Sequence, residues 1–297
     1  VKRRTAASRK ANGRGQTSSD PQQTVRAIYR KLSRAWGPQH WWPAETAFEV
    51  IVGAILTQNT SWTNVERALA NLRAADVLSV VGIRGFRVEK LEQLVRPSGY
   101  FRQKARRLKE FVAFLDAEYG ASLDAMFATP TPQLRERLLE QKGIGPETAD
   151  SILLYAGNHA VFVVDAYTRR VLERHSAVSA NAKYDEVRAL IETALQDEDT
   201  LPIQTSEALD PTRPIVHSPS AMSAASRSPL AQAFNEMHGL FVQVGKHYCA
   251  KRDPKCHACP LGTMLDRPVA MGTAPPRRLK ATALGGRTSK IPVKPKV

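Results

Sequence analysis

Apolar side chains recur at helical spacing along most of the chain. Phe48, Ile51, Val52 and Ile55 form one stripe, Val65, Ala68, Leu69 and Leu72 a second, and Ala149, Ile152, Leu153 and Ala156 a third. Residues three and four apart share one face of a helix, so each stripe predicts a helix with a buried side, and the chain reads as all-α. The punctuation agrees. Pro43 precedes the first stripe, Thr63 and Glu66 have capping-box spacing at the second, and Gly157 closes the third. One segment dissents: Ala160 to Val164 (AVFVV) is apolar and β-branched, and predicts either a buried strand or a short extended crossing of the core. Leu201 to Leu230 turns to Pro, Ser, Thr and Ala, with five prolines that exclude a continuous helix, and reads as a mobile loop inserted between two helices. No internal repeat is visible.

Composition adds charge to this picture. The 297 residues are 42% apolar, enough for one large core or two modest ones. Lysine and arginine outnumber acids by 43 to 28, but unevenly. Residues 1–20 hold six basic side chains and one acid, and residues 267–297 hold eight and none, so the body is close to neutral. Such ends are expected to be disordered tails, over 1–21 and 267–297, that either hold polyanions loosely or aid solubility. Within the body Arg102, Lys104, Arg106, Arg107 and Lys109 crowd together, as a DNA contact or a solvated helix face. No stretch approaches the roughly 20 apolar residues that cross a bilayer, and the basic start is not followed by an apolar signal core, so a cytoplasmic, nucleoid-associated protein is expected.

The chemistry concentrates between Gln141 and Arg170. In Lys142-Gly143-Ile144-Gly145-Pro146 two glycines permit backbone angles that a Cβ would obstruct, and proline suits the first turn of the helix that follows. A tight turn before a helix N-terminus can aim its amides at a phosphate, although a plain helix-turn-helix corner has the same outline. Asp165 follows the AVFVV run and opens a helix over Ala166 to Arg174. Aspartate is a common helix cap, yet an acid placed one helix after a phosphate-gripping hairpin is also where a catalytic carboxylate facing a nucleotide's sugar would stand.

These residues, with WWP at 41–43, ILTQNTSW at 55–62, RPSGYFRQKARRL at 96–108 and GIGPETADSILLYA at 143–156, resemble the helix-hairpin-helix DNA glycosylase superfamily. Its best-known member is endonuclease III, and within it the chain is most similar to bacterial 3-methyladenine DNA glycosylases. The likeness runs from about residue 25 to 265, apart from 201–230. It implies an endonuclease III-like helical fold of two domains with the lesion pocket in the cleft between them. The expected division is 40–158, six helices carrying the hairpin, against 22–39 plus 159–266.

The resemblance assigns catalysis to Asp165. Cleaving an N-glycosidic bond develops positive charge on the deoxyribose, which a fixed carboxylate stabilises while it orients water. In bifunctional relatives a lysine just after the hairpin attacks the sugar, and the matching position here is Glu147, so a monofunctional enzyme without strand cleavage is expected. The resemblance places Trp41, Trp42 and Trp62 around the pocket, where indole faces would favour a cationic alkylated purine through cation-π attraction. It also puts Lys246 near the pocket floor, and Gln58 where a side chain fills the gap left by the flipped nucleotide. The expected partner is double-stranded DNA with a damaged base, bound by a monomer. Rival readings are a glycosylase for mispaired adenine or an oxidised pyrimidine, the latter with lyase activity, and a DNA-binding protein without chemistry.

Three cysteines, Cys249, Cys256 and Cys259, have the C-x6-C-x2-C spacing that opens the endonuclease III iron-sulfur loop. The fourth cysteine of that pattern would fall at Leu265. A four-iron cluster usually takes four thiolates. Three outcomes stay open: a cluster completed by Asp266, His247 or another group; zinc held by three cysteines with His247 or His257; or a loop that binds nothing.

Overall fold

The computed structural model describes residues 20–196 and 217–265. The expected tails, the loop as far as residue 216, and Asp266 lie outside them, except that Asp20 and Pro21 already belong to the first helix. Among the described residues there are twelve α-helices and no strand, as the periodicity predicts.

Helix α1 (Pro21–Trp36) starts at a proline, with Asp20 accepting the amide of Gln22 at 3.0 Å. Helix α2 (Ala47–Leu56) is capped by Thr46, which accepts from the amide of Glu49, and from Phe48 onward it is buried all round. Its one ionisable residue, Glu49, is buried with the rest and is paired with Arg73. Helix α3 (Trp62–Ala74) begins earlier than the capping-box spacing suggests. Ser61 holds the N-cap position and makes no side-chain cap bond, so Thr63 and Glu66 lie inside the first turns.

Helices α4 (Val80–Gly85), α5 (Val88–Leu94) and α7 (Leu123–Phe127) pack against α6 (Phe101–Tyr119), which itself packs against α2, and α8 (Thr131–Glu140) leads into the hairpin. Then comes the hairpin, followed by α9 (Pro146–Ser151), which continues as a π-helical turn from Ile152 to Ala156 and ends at Gly157. Helices α10 (Ala166–Arg174), α11 (Tyr184–Ala194) and α12 (Pro229–His247) complete the order. The chain's first helix, α1, packs on its last ones, α11 and α12.

The AVFVV segment takes the extended-crossing alternative. Val161 to Val164 are buried, and their backbone groups are met by side chains in place of a neighbouring strand. Phe162 N–H donates to Glu192 Oε1 at 2.9 Å, and Val164 N–H to the Tyr184 hydroxyl at 3.2 Å. Buried amides need partners, and these side chains supply them, which is why β-propensity here yields no sheet. The crossing delivers Asp165 to the start of α10. Helix α10 lies close along α12 because Gly245 leaves room for the Tyr167 ring, where a Cβ would collide.

Candidate active site and hairpin

The hairpin turn depends on Gly143. Its φ of 84° lies in the left-handed region, and a methyl group there would strike the Arg107 side chain. The Ile144 amide donates to the Gln141 carbonyl at 3.0 Å and the Ile144 side chain is buried. Ile144 therefore anchors the turn, and Lys142, Gly143 and Gly145 form its exposed face.

Gln58 reaches this turn from the far end of α2. Its side-chain amide donates to the Gly143 carbonyl at 2.9 Å and to Thr148 Oγ1 at 3.1 Å. Beside it, Lys104 does not behave as part of a basic surface. Its side chain is buried, and Nζ donates to the carbonyls of Leu56 at 2.8 Å and Ser98 at 2.6 Å. Desolvation lowers its ammonium to about 8. Arg107 packs under the hairpin and pairs with Glu110, which leaves Arg102 and Arg106 as the open members of that run. Lys104 thus joins the loop after α2 to the loop before α6, whose tip is Tyr100. That residue, which sequence reading missed, is 69% exposed and sits at φ 45° after Gly99. An aromatic following a glycine in a turn was the available signal.

Asp165 caps α10: Oδ1 accepts from the Thr168 amide at 2.7 Å. Its side chain keeps 13% exposure, and Oδ2 faces Nε2 of His238 at 4.0 Å. Asp165 therefore caps the helix through one oxygen while its side chain keeps some contact with solvent. Glu147, at the start of α9, is an exposed residue, yet the protein around its carboxyl and the charge of Asp165 push it up to about 7, against an opposing Arg169. Lys246 approaches from the end of α12. Desolvation lowers its ammonium, while Glu66 and Asp165 pull the other way.

Trp41 and Trp42 are buried and Trp62 partly so. Trp42 meets Trp62 edge-on at 4.9 Å between ring centres and Tyr155 at 5.1 Å, while Trp41 packs against His238 at 5.8 Å and His217 at 5.6 Å. The indole N–H groups of Trp42 and Trp62 are buried without a partner. The described end of the 201–230 segment is anchored, which departs from the mobile-loop expectation for this part. Ser220 Oγ donates to the Trp42 carbonyl at 3.2 Å and accepts from the Ala44 amide, and the Met222 amide donates to the Ala44 carbonyl. This strap holds His217 against Trp41. Neither His217 nor His238 was expected at the site, because they come from segments far apart in sequence.

Cys249, Cys256, Cys259 and Leu265 do line one small cavity, with Val244, Tyr248, Leu261, Arg174 and His175. His175, not His247 or His257, is the histidine in that wall. The donor set does not fit a four-thiolate cluster. Leu265 presents hydrocarbon at the fourth position, and Arg174 Nη1 donates to Cys249 Sγ at 3.1 Å. Among the described residues no group of three or more His, Cys, Asp or Glu is arranged to hold a metal ion, zinc included.

A family model described as HhH-GPD superfamily base excision DNA repair protein matches residues 52–197. A Methanocaldococcus jannaschii protein named as a DNA repair glycosylase is 40% identical over 235 residues, covering 79% of this chain and 92% of its own length. Endonuclease III of Thermotoga maritima is 24% identical over 71% of this chain and 79% of its own. Among solved structures, Helicobacter pylori 3-methyladenine DNA glycosylase bound to 1,N6-ethenoadenine is similar, with a TM-score of 0.60, 31% identity, and 76% of this chain and 97% of that one covered. A trapped endonuclease III-DNA covalent intermediate shares the fold at a TM-score of 0.61 and 18% identity, covering 82% of this chain and 95% of that one. The chain belongs to the HhH-GPD superfamily of base excision DNA repair proteins. Its activity is that of a DNA glycosylase, and its macromolecular partner is DNA. Among the described residues no helix is long and apolar enough to cross a membrane.

Proposed function

We propose that the protein is a monofunctional glycosylase that removes alkylated purines of the 3-methyladenine type from duplex DNA, with Asp165 as the catalytic carboxylate. The observation that carries this reading is the pair of carboxylates, Glu147 facing Asp165, at the place where a strand-cleaving relative needs an amine. A carboxylate cannot form a Schiff base with the sugar, so water completes the reaction. Oδ1 of Asp165 is fixed by the Thr168 amide, and Oδ2 remains to stabilise positive charge on the deoxyribose as the base departs.

Lys142, Gly143 and Gly145 meet the phosphates, Gln58 fills the gap in the duplex, and Trp41, Trp42 and Trp62 with Lys246 surround the extruded base. Tryptophan faces favour a cationic methylated purine, whose glycosidic bond is already weakened, so few hydrogen bonds are needed for selectivity. The similarity to the H. pylori enzyme supports this substrate class. The pocket lies between two helical units, 40–158 against 22–39 plus 159–266, and one copy acts alone. No step is routed through the cysteine loop.

A second reading is strand cleavage through Lys246, an exposed amine at the end of α12 whose charge interacts with Asp165. Duplexes each carrying one defined lesion, with alkaline cleavage of abasic sites, test both. Release of methylated purine that vanishes in Asp165→Asn while DNA affinity persists is expected. Borohydride should trap no covalent adduct; an adduct lost in Lys246→Ala would establish the lyase reading instead.

A further inference from the structure

One histidine of α12 has its ring sealed inside the protein beside Asp165. His238 is 4% exposed and enclosed by the rings of Trp41, Tyr155 and Phe162. Its Nδ1 lies 3.1 Å from the carbonyl oxygen of Val163. A carbonyl oxygen only accepts, so the hydrogen belongs on Nδ1. The other nitrogen, Nε2, faces Oδ2 of Asp165 at 4.0 Å, while Oδ1 is held by the Thr168 amide.

With Nδ1 committed to Val163, the charge on the ring decides what Asp165 meets. A neutral ring turns a lone pair toward the carboxylate and repels it. An imidazolium turns an N–H toward it and attracts it. We propose that His238 is the positioning residue of Asp165, holding Oδ2 in line with the sugar of a flipped nucleotide while the Val163 carbonyl holds the ring. The proposal rests on the reading of Asp165 as the carboxylate that meets the sugar. One ring thereby sets the relation of three segments: the buried crossing, the start of α10 and the middle of α12. Each interaction alone is ordinary, but together they remove the freedom of a carboxylate that otherwise has only its cap to orient it.

Other ionisable groups surround the pair. Glu147 of α9, Tyr155 of the π-helical turn and Lys246 of α12 itself all interact electrostatically with Asp165, as Glu66 of α3 does with Lys246 and Arg169 of α10 with Glu147. His217 of the strap shares the Trp41 ring with His238. A pH-rate profile would mix these groups, so the decisive measurement reads the ring itself.

The Cε1–H resonance of His238, assigned by its loss in His238→Gln, is to be titrated by NMR in the wild-type protein and in Asp165→Asn. The resonance is expected to shift when the anionic partner is removed, because the ring loses the group that Nε2 faces. Superimposable titrations would overturn the proposal. A second measurement is single-turnover release of base from duplex DNA methylated with dimethyl sulfate. His238→Gln keeps a donor at the Nε2 position and His238→Asn only at the Nδ1 position. The Asn variant is expected to lose about 100-fold and the Gln variant about 10-fold, with DNA affinity unchanged. Equal rates for the two, or wild-type rates in the Asn variant, would also overturn it. Thermal melting identifies a variant that fails to fold, and the titration then decides. If Asp165→Asn itself still releases base, the assignment of Asp165 fails, independently of the titration.

Discussion

The side-chain amide of Gln58 donates to the carbonyl of Gly143 at 2.9 Å, joining the end of α2 to the hairpin turn across 85 residues of sequence. The residue assigned to fill the duplex gap is therefore held against the residue assigned to grip its backbone. Gln58→Ala is expected to lower single-turnover base release from duplex DNA by about fivefold, one hydrogen bond being worth about 1 kcal/mol, while release from single-stranded DNA changes less. Equal losses on the two substrates would show that Gln58 serves the hairpin and not the flip.

Gly143→Ala forces a left-handed φ on a residue with a Cβ and drives a methyl group into Arg107. The expected result is a loss of about 1–3 kcal/mol in denaturant unfolding and weaker binding to undamaged duplex. Gly145→Ala, at an extended φ of −92° and in open space, is the control that should unfold near wild type.

Glu147 titrates at about 7, above its ordinary 4.5. A carboxyl raised in the folded state stabilises the fold below its unfolded pKa, and that contribution is lost as pH climbs through the folded value. Between about pH 4.5 and 7 the melting temperature of the wild-type protein should fall relative to that of Glu147→Gln. Parallel melting curves across that window would mean that neither the protein around Glu147 nor Asp165 raises its carboxyl in the folded state.

Lys104 donates to two carbonyls from inside the protein, so Lys104→Met should leave both Leu56 and Ser98 carbonyls unpaired, at a cost of about 1–3 kcal/mol in chemical denaturation. The loop tips bearing Gln58 and Tyr100 should then exchange amide hydrogens faster. If exchange rises evenly over the whole protein, Lys104 holds the fold and not these two loops.

Anaerobically purified protein is expected to be colourless and free of stoichiometric iron, because Leu265 stands where a fourth thiolate belongs. Brown protein with absorbance near the visible cluster bands would show that a ligand outside the described residues completes the set. Leu265→Cys is the companion experiment, expected to gain iron when reconstituted.

The helical class, the hairpin and the placement of Asp165 before α10 were legible because each is a local rule. Spacing of three and four makes a buried face, glycine permits a left-handed turn, and an acid before a helix caps it. The AVFVV run was legible only as two alternatives, since propensity measures fit to a buried extended surface and not the partner that satisfies its amides. The basic run around Lys104 misled for a related reason: charge in sequence carries no information on which side chain turns inward toward carbonyls.

The sequence by itself determined which segments coil, which residue types can grip phosphate or bear negative charge beside a sugar, and where the fourth cysteine is missing. Tertiary packing decided the company each residue keeps. It set His238 against Asp165, Glu147 opposite the same carboxylate, His217 over Trp41, and His175 in place of His247 and His257 beside the cysteines. The physical reason is distance along the chain. Local dihedral and capping preferences act over a few residues, whereas electrostatic pairing and ring packing act through space, between groups that only the closed core brings together.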